Sequence, residues 1–194
     1  MSIPFKGSQT EKNIAAAYAG EYITYVRYSS YAKKARKEGF EQIADYFQET
    51  ADNEREHGKI FLKMLKESDP IVNVQFPIET RQNKSTLENL KDAAVAEDNG
   101  GLKIYPYMAA VAEKEGFLDI ANTFKLIAEV EHQHGVRLAI LAKQVENGTF
   151  WKREKEVEWK CRNCGYIFKG KEAPKECPVC HHPQSFQQIR EVLE

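Results

Sequence analysis

Apolar residues recur at the spacing of amphipathic helices through most of residues 8–147, which predicts a mainly α-helical chain. Ser8 with Glu11, and Ser85 with Glu88, have the S/T-x-x-E spacing of a capping box at a helix start. A glycine directly follows the first and the last predicted helix, as is common at helix ends. The four predicted helices span residues 11–38, 40–66, 85–114 and 117–147.

The connections between these helices indicate their arrangement. Only a glycine turn separates helices one and two, and the same holds for helices three and four, so each pair is expected to form an antiparallel hairpin. Between the pairs lies a polar, proline-containing stretch, residues 67–84. A loop of that length is unusual in a compact domain, but bundles of the ferritin-like kind have one long crossover. The pattern therefore predicts a ferritin-like four-helix bundle.

Acidic residues and histidines repeat in the two hairpins. In each copy one glutamate precedes a Glu-x-x-His motif by 33 or 34 residues. Glutamate and histidine three positions apart share one face of a helix. Two such helices, with one glutamate from each of two others, provide the ligand set of a di-iron carboxylate site. The predicted ligands are Glu21, Glu54 and His57 in the first copy, and Glu97, Glu131 and His134 in the second.

The repeat extends to neighbouring residues and predicts an approximate two-fold axis. Lys37-Glu-Gly-Phe40 recurs as Lys114-Glu-Gly-Phe117, each 17 residues before the glutamate of the Glu-x-x-His motif. The third helix has one extra residue relative to the first, which a π-bulge can absorb. Gly100, Gly101 and Pro106 also weaken regular helix there, so we expect an irregular turn between Glu97 and Pro106.

The chemistry of the six residues suits a metal pair. Four carboxylates neutralise two divalent ions, whereas four buried carboxylates without metal would be costly to ionise together. Histidine nitrogen favours iron, zinc or copper over calcium or magnesium. The symmetric assignment gives one histidine to each metal, makes Glu54 and Glu131 bridges, and makes Glu21 and Glu97 terminal ligands. Glu129-x-x-His132 is a competing register, but the repeat aligns His132 with an arginine, which is no metal ligand.

Two tyrosines lie near the predicted ligands. Tyr28 follows Glu21 by seven residues on the same helix face, and Tyr105 follows Glu97 by eight. Each hydroxyl is expected either to hydrogen-bond a ligand carboxylate or only to pack in the bundle core. The sequence leaves both alternatives open.

The four cysteines form two C-x-x-C pairs in the last 36 residues, which indicates a metal site rather than disulfides. Zinc ribbons and rubredoxins share this spacing, so the metal is either iron, as a one-electron carrier, or zinc, as a structural ion. The predicted ranges are 1–148 for the bundle, 149–158 for a charged linker and 159–194 for the four-cysteine domain. The predicted ligands are Cys161, Cys164, Cys177 and Cys180.

Composition and charge limit the classes of function that are expected. The formal charge is −1 with many residues of both signs, which favours neither nucleic acid nor a membrane surface as partner. The chain has no run of 18 apolar residues, and its first residues lack the apolar core of a signal peptide, so a cytoplasmic protein is expected. No G-x-G-x-x-G motif supports direct nucleotide binding.

The combination of repeated Glu-x-x-His hairpins, Ile104-Tyr-Pro106 and the two cysteine knuckles resembles the rubrerythrin family along the whole chain. The resemblance implies a non-haem di-iron bundle joined to a rubredoxin-like domain with one iron, in a homodimer or larger assembly. It implies that the rubredoxin-like centre of one subunit supplies electrons to the di-iron site of its partner. One position departs from the family pattern, because a further glutamate expected one turn after Glu97 is Gly100 here.

The resemblance implies a peroxidase that reduces hydrogen peroxide to water, with electrons from a separate NAD(P)H-dependent reductase or a rubredoxin. Gly100 favours an alternative, a ferroxidase or dioxygen reductase, because the remaining four glutamates and two histidines are similar to a ferroxidase ligand set. A zinc-stabilised metal-binding scaffold is the third hypothesis, since zinc in the four-cysteine site would remove the electron path.

Overall fold

The computed structural model describes residues 3–75, 77–78, 80 and 84–191. Within the described residues, α1 spans Gln9–Lys37 and α2 spans Glu41–Met64. The third long helix consists of α3, Thr86–Asn99, a π-helical turn, Gly100–Ile104, and α4, Tyr105–Glu115. The fourth long helix is α5, Leu118–Glu146. The four predicted helices are confirmed, with ends shifted by one or two residues, and so is the irregular turn after Glu97.

Local signals set most of these ends. Ser85 and Glu88 form a complete capping box at the start of α3. At α1 only half of the predicted box is present, because Ser8 accepts from the backbone N–H of Glu11 while the Glu11 carboxylate accepts from Gly7. The turns after α1 and α4 place Gly39 and Gly116 at φ +82° and +90°, which glycine adopts without strain.

The helices pack as two hairpins, with α1 mainly against α2, and α3 and α4 against α5. Leu65–Glu67 is a short 3₁₀ turn after α2, and the described part of residues 68–84 contains no helix or strand. The predicted crossover lies there, although residues 76, 79 and 81–83 fall outside the described residues. None of the described helices is long and apolar enough to cross a membrane.

Two buried clusters divide the bundle core. One contains Tyr28, Phe47 and Leu138, and the other contains Phe61 and Phe124. On α2 and on α5, the Glu-x-x-His motif falls between a residue of one cluster and a residue of the other. The predicted ligands are therefore enclosed by apolar side chains on both sides along the bundle axis.

A three-stranded antiparallel sheet of order β2-β1-β3 forms the C-terminal part. Its strands are β1, Lys152–Cys161, β2, Ile167–Glu172, and β3, Gln187–Ile189. The charged stretch predicted as a linker forms most of β1, which pairs with β2; Trp159 is buried, and the charged side chains before it are exposed or half-buried. The strand thus begins before the predicted domain boundary at residue 159.

The C-terminal sheet domain packs against the end of the bundle where α2 begins. Phe40 stacks on Trp151 with ring centroids 5.1 Å apart, and Arg162 forms an ion pair with Asp45. A Cβ added at Gly39 would lie 3.6 Å from Ser185, so the helix turn and this domain are in close approach. The contact places the four-cysteine domain at one end of the bundle.

Adjacent glycines in the π-helical turn provide a stability prediction. A Cβ at Gly101 would lie 2.7 Å from the backbone oxygen of Ala128 and 2.8 Å from the backbone nitrogen of His132, and neither atom can move aside easily. We expect Gly101→Ala to lower the free energy of unfolding by about 1–3 kcal/mol through overpacking. A Cβ at Gly100 meets nothing closer than 3.6 Å, so Gly100→Ala is the matched control and should be neutral or stabilising. Urea unfolding of both variants, prepared in the same metal state, makes the comparison; equal stabilities would contradict it.

Candidate metal centres

The structure brings the six predicted bundle ligands together in the middle of the helical core. Glu21 comes from α1, and Glu54 and His57 come from α2. Glu97 comes from α3, and Glu131 and His134 come from α5. None is more than 7% exposed. The 3.6-residue spacing that puts apolar residues on one face of each helix places these polar residues on the same buried face. The six side chains are Glu21, Glu54, His57, Glu97, Glu131 and His134.

The donor atoms form two groups that share two carboxylates. Within each group, all donor atoms lie within 4.8 Å of one another. One group adds Glu21 and His57 to the shared pair, and the other adds Glu97 and His134. The shared residues, Glu54 and Glu131, belong to both groups, which is the placement expected for carboxylates that bridge two cations.

Both histidines present Nδ1 to the carboxylates. His57 Nδ1 lies 3.0 Å from Glu54 Oε2 and 3.0 Å from Glu131 Oε1. His134 Nδ1 lies 3.2 Å from Glu54 Oε1 and 3.3 Å from Glu97 Oε2. The two histidines face different oxygens of Glu54, so each donor group has one imidazole nitrogen.

Four buried donor atoms of this cluster have no hydrogen-bond partner among the described residues. They approach one another but lack hydrogen-bond geometry, and an unpaired buried polar atom is costly. A cation between them would satisfy all four at once, and a mixed carboxylate and imidazole set fits iron, zinc or manganese. The four atoms are Glu54 Oε1, Glu97 Oε2, Glu131 Oε1 and His134 Nδ1.

Charges in the metal-free cluster shift the pKa values of its members. Burial and the repulsion of Glu54 raise the pKa of Glu21 and of Glu131 well above the ordinary value. Burial opposes the ionised forms of Glu54 and His134, but the close approach of the carboxylate and the imidazole, 3.2 Å apart, prevails. The pKa of Glu54 falls to about 2, and that of His134 rises to about 9. The metal-free cluster therefore retains protons that a bound cation displaces.

Metal binding should accordingly release protons. His134, with its raised pKa, stabilises the metal-free fold fully below the ordinary value of 6.5, and this contribution is lost as the pH rises through about 9. The raised pKa values of Glu21 and Glu131 act in the same direction. We expect ferrous loading to release fewer protons, and to raise the melting temperature more, at pH 8.5 than at pH 6. Calorimetry in buffers of different ionisation enthalpy measures the protons; proton uptake would contradict the prediction.

The two tyrosines hydrogen-bond the terminal carboxylates crosswise. The Tyr28 hydroxyl on α1 donates to Glu97 on α3, and the Tyr105 hydroxyl on α4 donates to Glu21 on α1. Burial raises the pKa of both phenols well above the ordinary value, so they remain donors. Each tyrosine thus holds the glutamate of the other hairpin, and the hydrogen-bonding alternative left open by the sequence describes both.

Asn53 is a contact that the sequence analysis missed. Its Oδ1 lies 3.3 Å from His134 Nε2, so it can accept the N–H and leave Nδ1 free to face the carboxylates. The position before Glu54 gave no signal, because its repeat equivalent is Val130. The competing pair, Glu129 and His132, is exposed and lies outside the cluster.

The four cysteines also converge. Their sulfurs lie within 4.8 Å of one another, with 3.7 Å between Cys161 and Cys180 and 3.6 Å between Cys164 and Cys177. Bonds of about 2.3 Å from a central tetrahedral ion imply sulfur separations of about 3.8 Å. The spacing thus fits a single metal ion and is far too long for disulfides.

A backbone N–H favours the thiolate form of one of these cysteines, which is the form that binds metal. The backbone N–H of His182 lowers the pKa of the Cys180 thiol to about 6, so the thiolate is accessible near neutral pH. Two of the sulfurs are fully buried, those of Cys161 and Cys177. The donor set fits iron or zinc equally well, which agrees with the two alternatives from the sequence.

Comparisons with known proteins find similar sequences along nearly the whole chain. The family profile described as Rubrerythrin matches residues 12–142 and, a second time, 88–162. The profile described as the rubredoxin-like domain of rubrerythrin matches residues 159–187. A rubrerythrin of Porphyromonas gingivalis is 44% identical over 96% of this chain and 92% of its own, and one of Nitratidesulfovibrio vulgaris is 41% identical over 93% of each. Among solved structures, fully reduced, all-ferrous nigerythrin superposes with a TM-score of 0.65 at 28% identity, covering 98% of this chain and 89% of that one.

Proposed function

The chain belongs to the rubrerythrin family, and from that premise we propose that it reduces hydrogen peroxide to water at a pair of iron ions in the bundle. The observation that carries the proposal is the cluster in which two donor groups share Glu54 and Glu131. One buried site for two cations suits a two-electron reduction, because each ion can supply one electron. The ligand roles assigned from the sequence are part of this proposal.

When bound, the iron pair supplies the two electrons that cleave the oxygen–oxygen bond, and the reaction consumes two protons. The residues of the chain prepare the place where this occurs. Tyr28 and Tyr105 hold the terminal carboxylates by hydrogen bonds, and Asn53 orients His134. The apolar clusters on both sides exclude bulk water, which strengthens the electrostatic interactions inside.

Electrons are proposed to arrive through the four-cysteine centre with iron bound. Within one chain that domain contacts the start of α2, and Glu54 lies 13 residues further along the helix, which is about 20 Å. This separation supports the donor arrangement implied by the family resemblance, in which the cysteine centre of a second subunit supplies the bundle. A homodimer or larger assembly, with a separate NAD(P)H-dependent reductase or rubredoxin as donor in the cytoplasm, completes the proposal.

A ferroxidase or dioxygen reductase is the second candidate, and Gly100 is the observation that favours it. The position one turn after Glu97 has no side chain, and a Cβ there would face Glu131 Cγ at 3.6 Å. The donor set therefore has four glutamates and two histidines, without a fifth carboxylate that could exchange with His57. Peroxide and dioxygen must be compared directly to separate the two candidates.

Anaerobic stopped-flow on the iron-loaded, fully reduced chain makes this comparison. The visible absorption of the ferric four-cysteine centre is followed after mixing with stoichiometric hydrogen peroxide or with dioxygen. The peroxidase proposal predicts rapid recovery of colour with peroxide and recovery at least about tenfold slower with dioxygen. Faster recovery with dioxygen would favour the oxidase candidate, and absence of any colour would show that the cysteines hold zinc.

A further inference from the structure

Among the described residues, a cavity of about 580 Å³ reaches the bundle cluster. It lies between α1 and the segment formed by α3, the π-helical turn and α4. Its inner end is formed by Glu21, Glu97 and Glu131, with Gly100 beside them. One water molecule occupies about 30 Å³ of liquid, so the cavity has far more room than hydrogen peroxide needs. We call it the Gly100 cavity.

Two glycines keep its inner end open. A Cβ at Gly20 would meet nothing within 4 Å, and a Cβ at Gly100 would meet Glu131 and Tyr105 only at ordinary contact distances of 3.6–3.8 Å. Glu97 Oε2 and Glu131 Oε1 are buried here without hydrogen-bond partners among the described residues. Cations held by these oxygens would therefore lie next to the open space.

The lining of the Gly100 cavity combines aliphatic and positively charged side chains. Ile23, Ile104 and Met108 contribute aliphatic side chains to the lining, whereas Arg27 and Lys103 contribute positive charge. Lys103 is exposed and donates to Asn99, so its charge remains available to solution. Positive charge attracts an anion, while aliphatic walls favour an alkyl group.

We propose that the Gly100 cavity binds a short-chain aliphatic monocarboxylate. Its carboxylate lies in the gap beside Gly100 and Glu131, facing the metal pair, and its alkyl chain follows Ile104 and Met108. The inference rests on the proposed metal pair, because without cations the three glutamates at the inner end would repel the ligand. A carboxylate from solution would then occupy the space that a longer side chain at position 100 would fill.

The test uses the full chain loaded with iron and oxidised in air, titrated with formate, acetate, butyrate and hexanoate. Calorimetry and the near-ultraviolet absorption of the ferric bundle site report binding. Each buried methylene should strengthen binding about fourfold along the series. Metal-free protein should bind none of the four acids. Affinity independent of chain length, or equal binding to metal-free protein, would overturn the proposal.

Variants at three positions test where the acid binds. Gly100→Glu should fill the gap and weaken hexanoate binding more than about 100-fold, whereas Ala110→Glu, an exposed change on α4, should leave it unaltered. Lys103→Gln should weaken the binding of all four acids by a similar factor, while affinity should still increase with chain length. This variant is a second test that does not depend on whether the chain folds with glutamate at position 100. Binding to Gly100→Glu as tight as to the unchanged chain would contradict the placement.

Iron content and the peroxide reaction are measured on the same samples. A chain that holds two bundle irons and reduces peroxide, but shows no dependence on chain length, overturns the carboxylate inference alone. A chain that holds no bundle iron overturns both this inference and the proposed function. The two failures are therefore distinguishable.

Discussion

We expect replacement of Glu131 by alanine to remove both metal ions from the bundle and to leave the four-cysteine centre in place. Glu131 belongs to both donor groups, so its loss takes a ligand from each cation. Alanine preserves the helix, and burial already opposes ionisation of this carboxyl, so the metal-free fold should not lose stability. Iron per chain should fall from three to one. Peroxide reduction should fall by more than about 100-fold, since even outer partners of metal ligands contribute 10–100-fold.

Glu129→Ala is the matched control on the same helix. Glu129 begins the competing Glu-x-x-His register, but it is exposed and lies outside the cluster. This variant should keep three irons and full activity. Retention of activity by Glu131→Ala, or loss of bundle iron in Glu129→Ala, would refute the ligand assignment. Elemental analysis and the absorption of the four-cysteine centre provide the two readouts.

Replacing Cys177 by serine should unfold the C-terminal sheet domain and stop turnover that depends on an external donor. The domain buries few side chains, chiefly Trp159, Cys161, Ala173 and Cys177, so it depends on its metal for stability. Structural zinc, for example, contributes about 10–16 kcal/mol of apparent binding free energy in zinc-finger peptides at pH 7. Turnover should fall more than about 100-fold. The bundle should keep its iron pair, and its single reaction with peroxide should persist.

Val179→Ser, within the same Cys-x-x-Cys turn, is the control for Cys177→Ser. Val179 is 58% exposed and offers no metal ligand, so this variant should keep the colour of the centre and donor-dependent turnover. Proteolysis of the C-terminal domain and steady-state peroxide consumption are the measurements. Undiminished turnover in Cys177→Ser would show that electrons reach the bundle by another path.

Periodicity explains why much of the fold could be predicted. A 3.6-residue pattern determines which face of each helix is buried, and the repeat identified which acidic residues share that face, as with Glu54 and Glu131. The extra residue and the glycines after Glu97 indicated the π-helical turn. These features are local in sequence, so they can be interpreted without knowing the tertiary contacts.

Features that depend on contacts between distant segments could not be predicted. The spacing placed Tyr28 on the same helix face as Glu21 but did not show which carboxylate its hydroxyl would contact, and the hydroxyl reaches Glu97 across the bundle. The contact of Asn53 with His134 depends on how α2 packs against α5. The charged stretch before Trp159 became a strand because it pairs with β2, residues 167–172, a contact that composition does not reveal.

Gly100 illustrates the limit of motif analysis. The sequence showed only that a side chain expected from the family resemblance is missing. The structure shows that position 100 borders a cavity whose lining, among the described residues, includes Glu131. The space without a side chain at position 100 is where the carboxylate is proposed to bind.

Anomalous diffraction from crystals of the iron-loaded chain, recorded above and below the iron absorption edge, tests the central claim most directly. We predict two iron peaks a few ångströms apart, flanked by Glu54 and Glu131, and a third between the four cysteines. All three should vanish below the edge. A single peak in the bundle, or peaks at the exposed Glu129 and His132, would contradict the proposed metal pair.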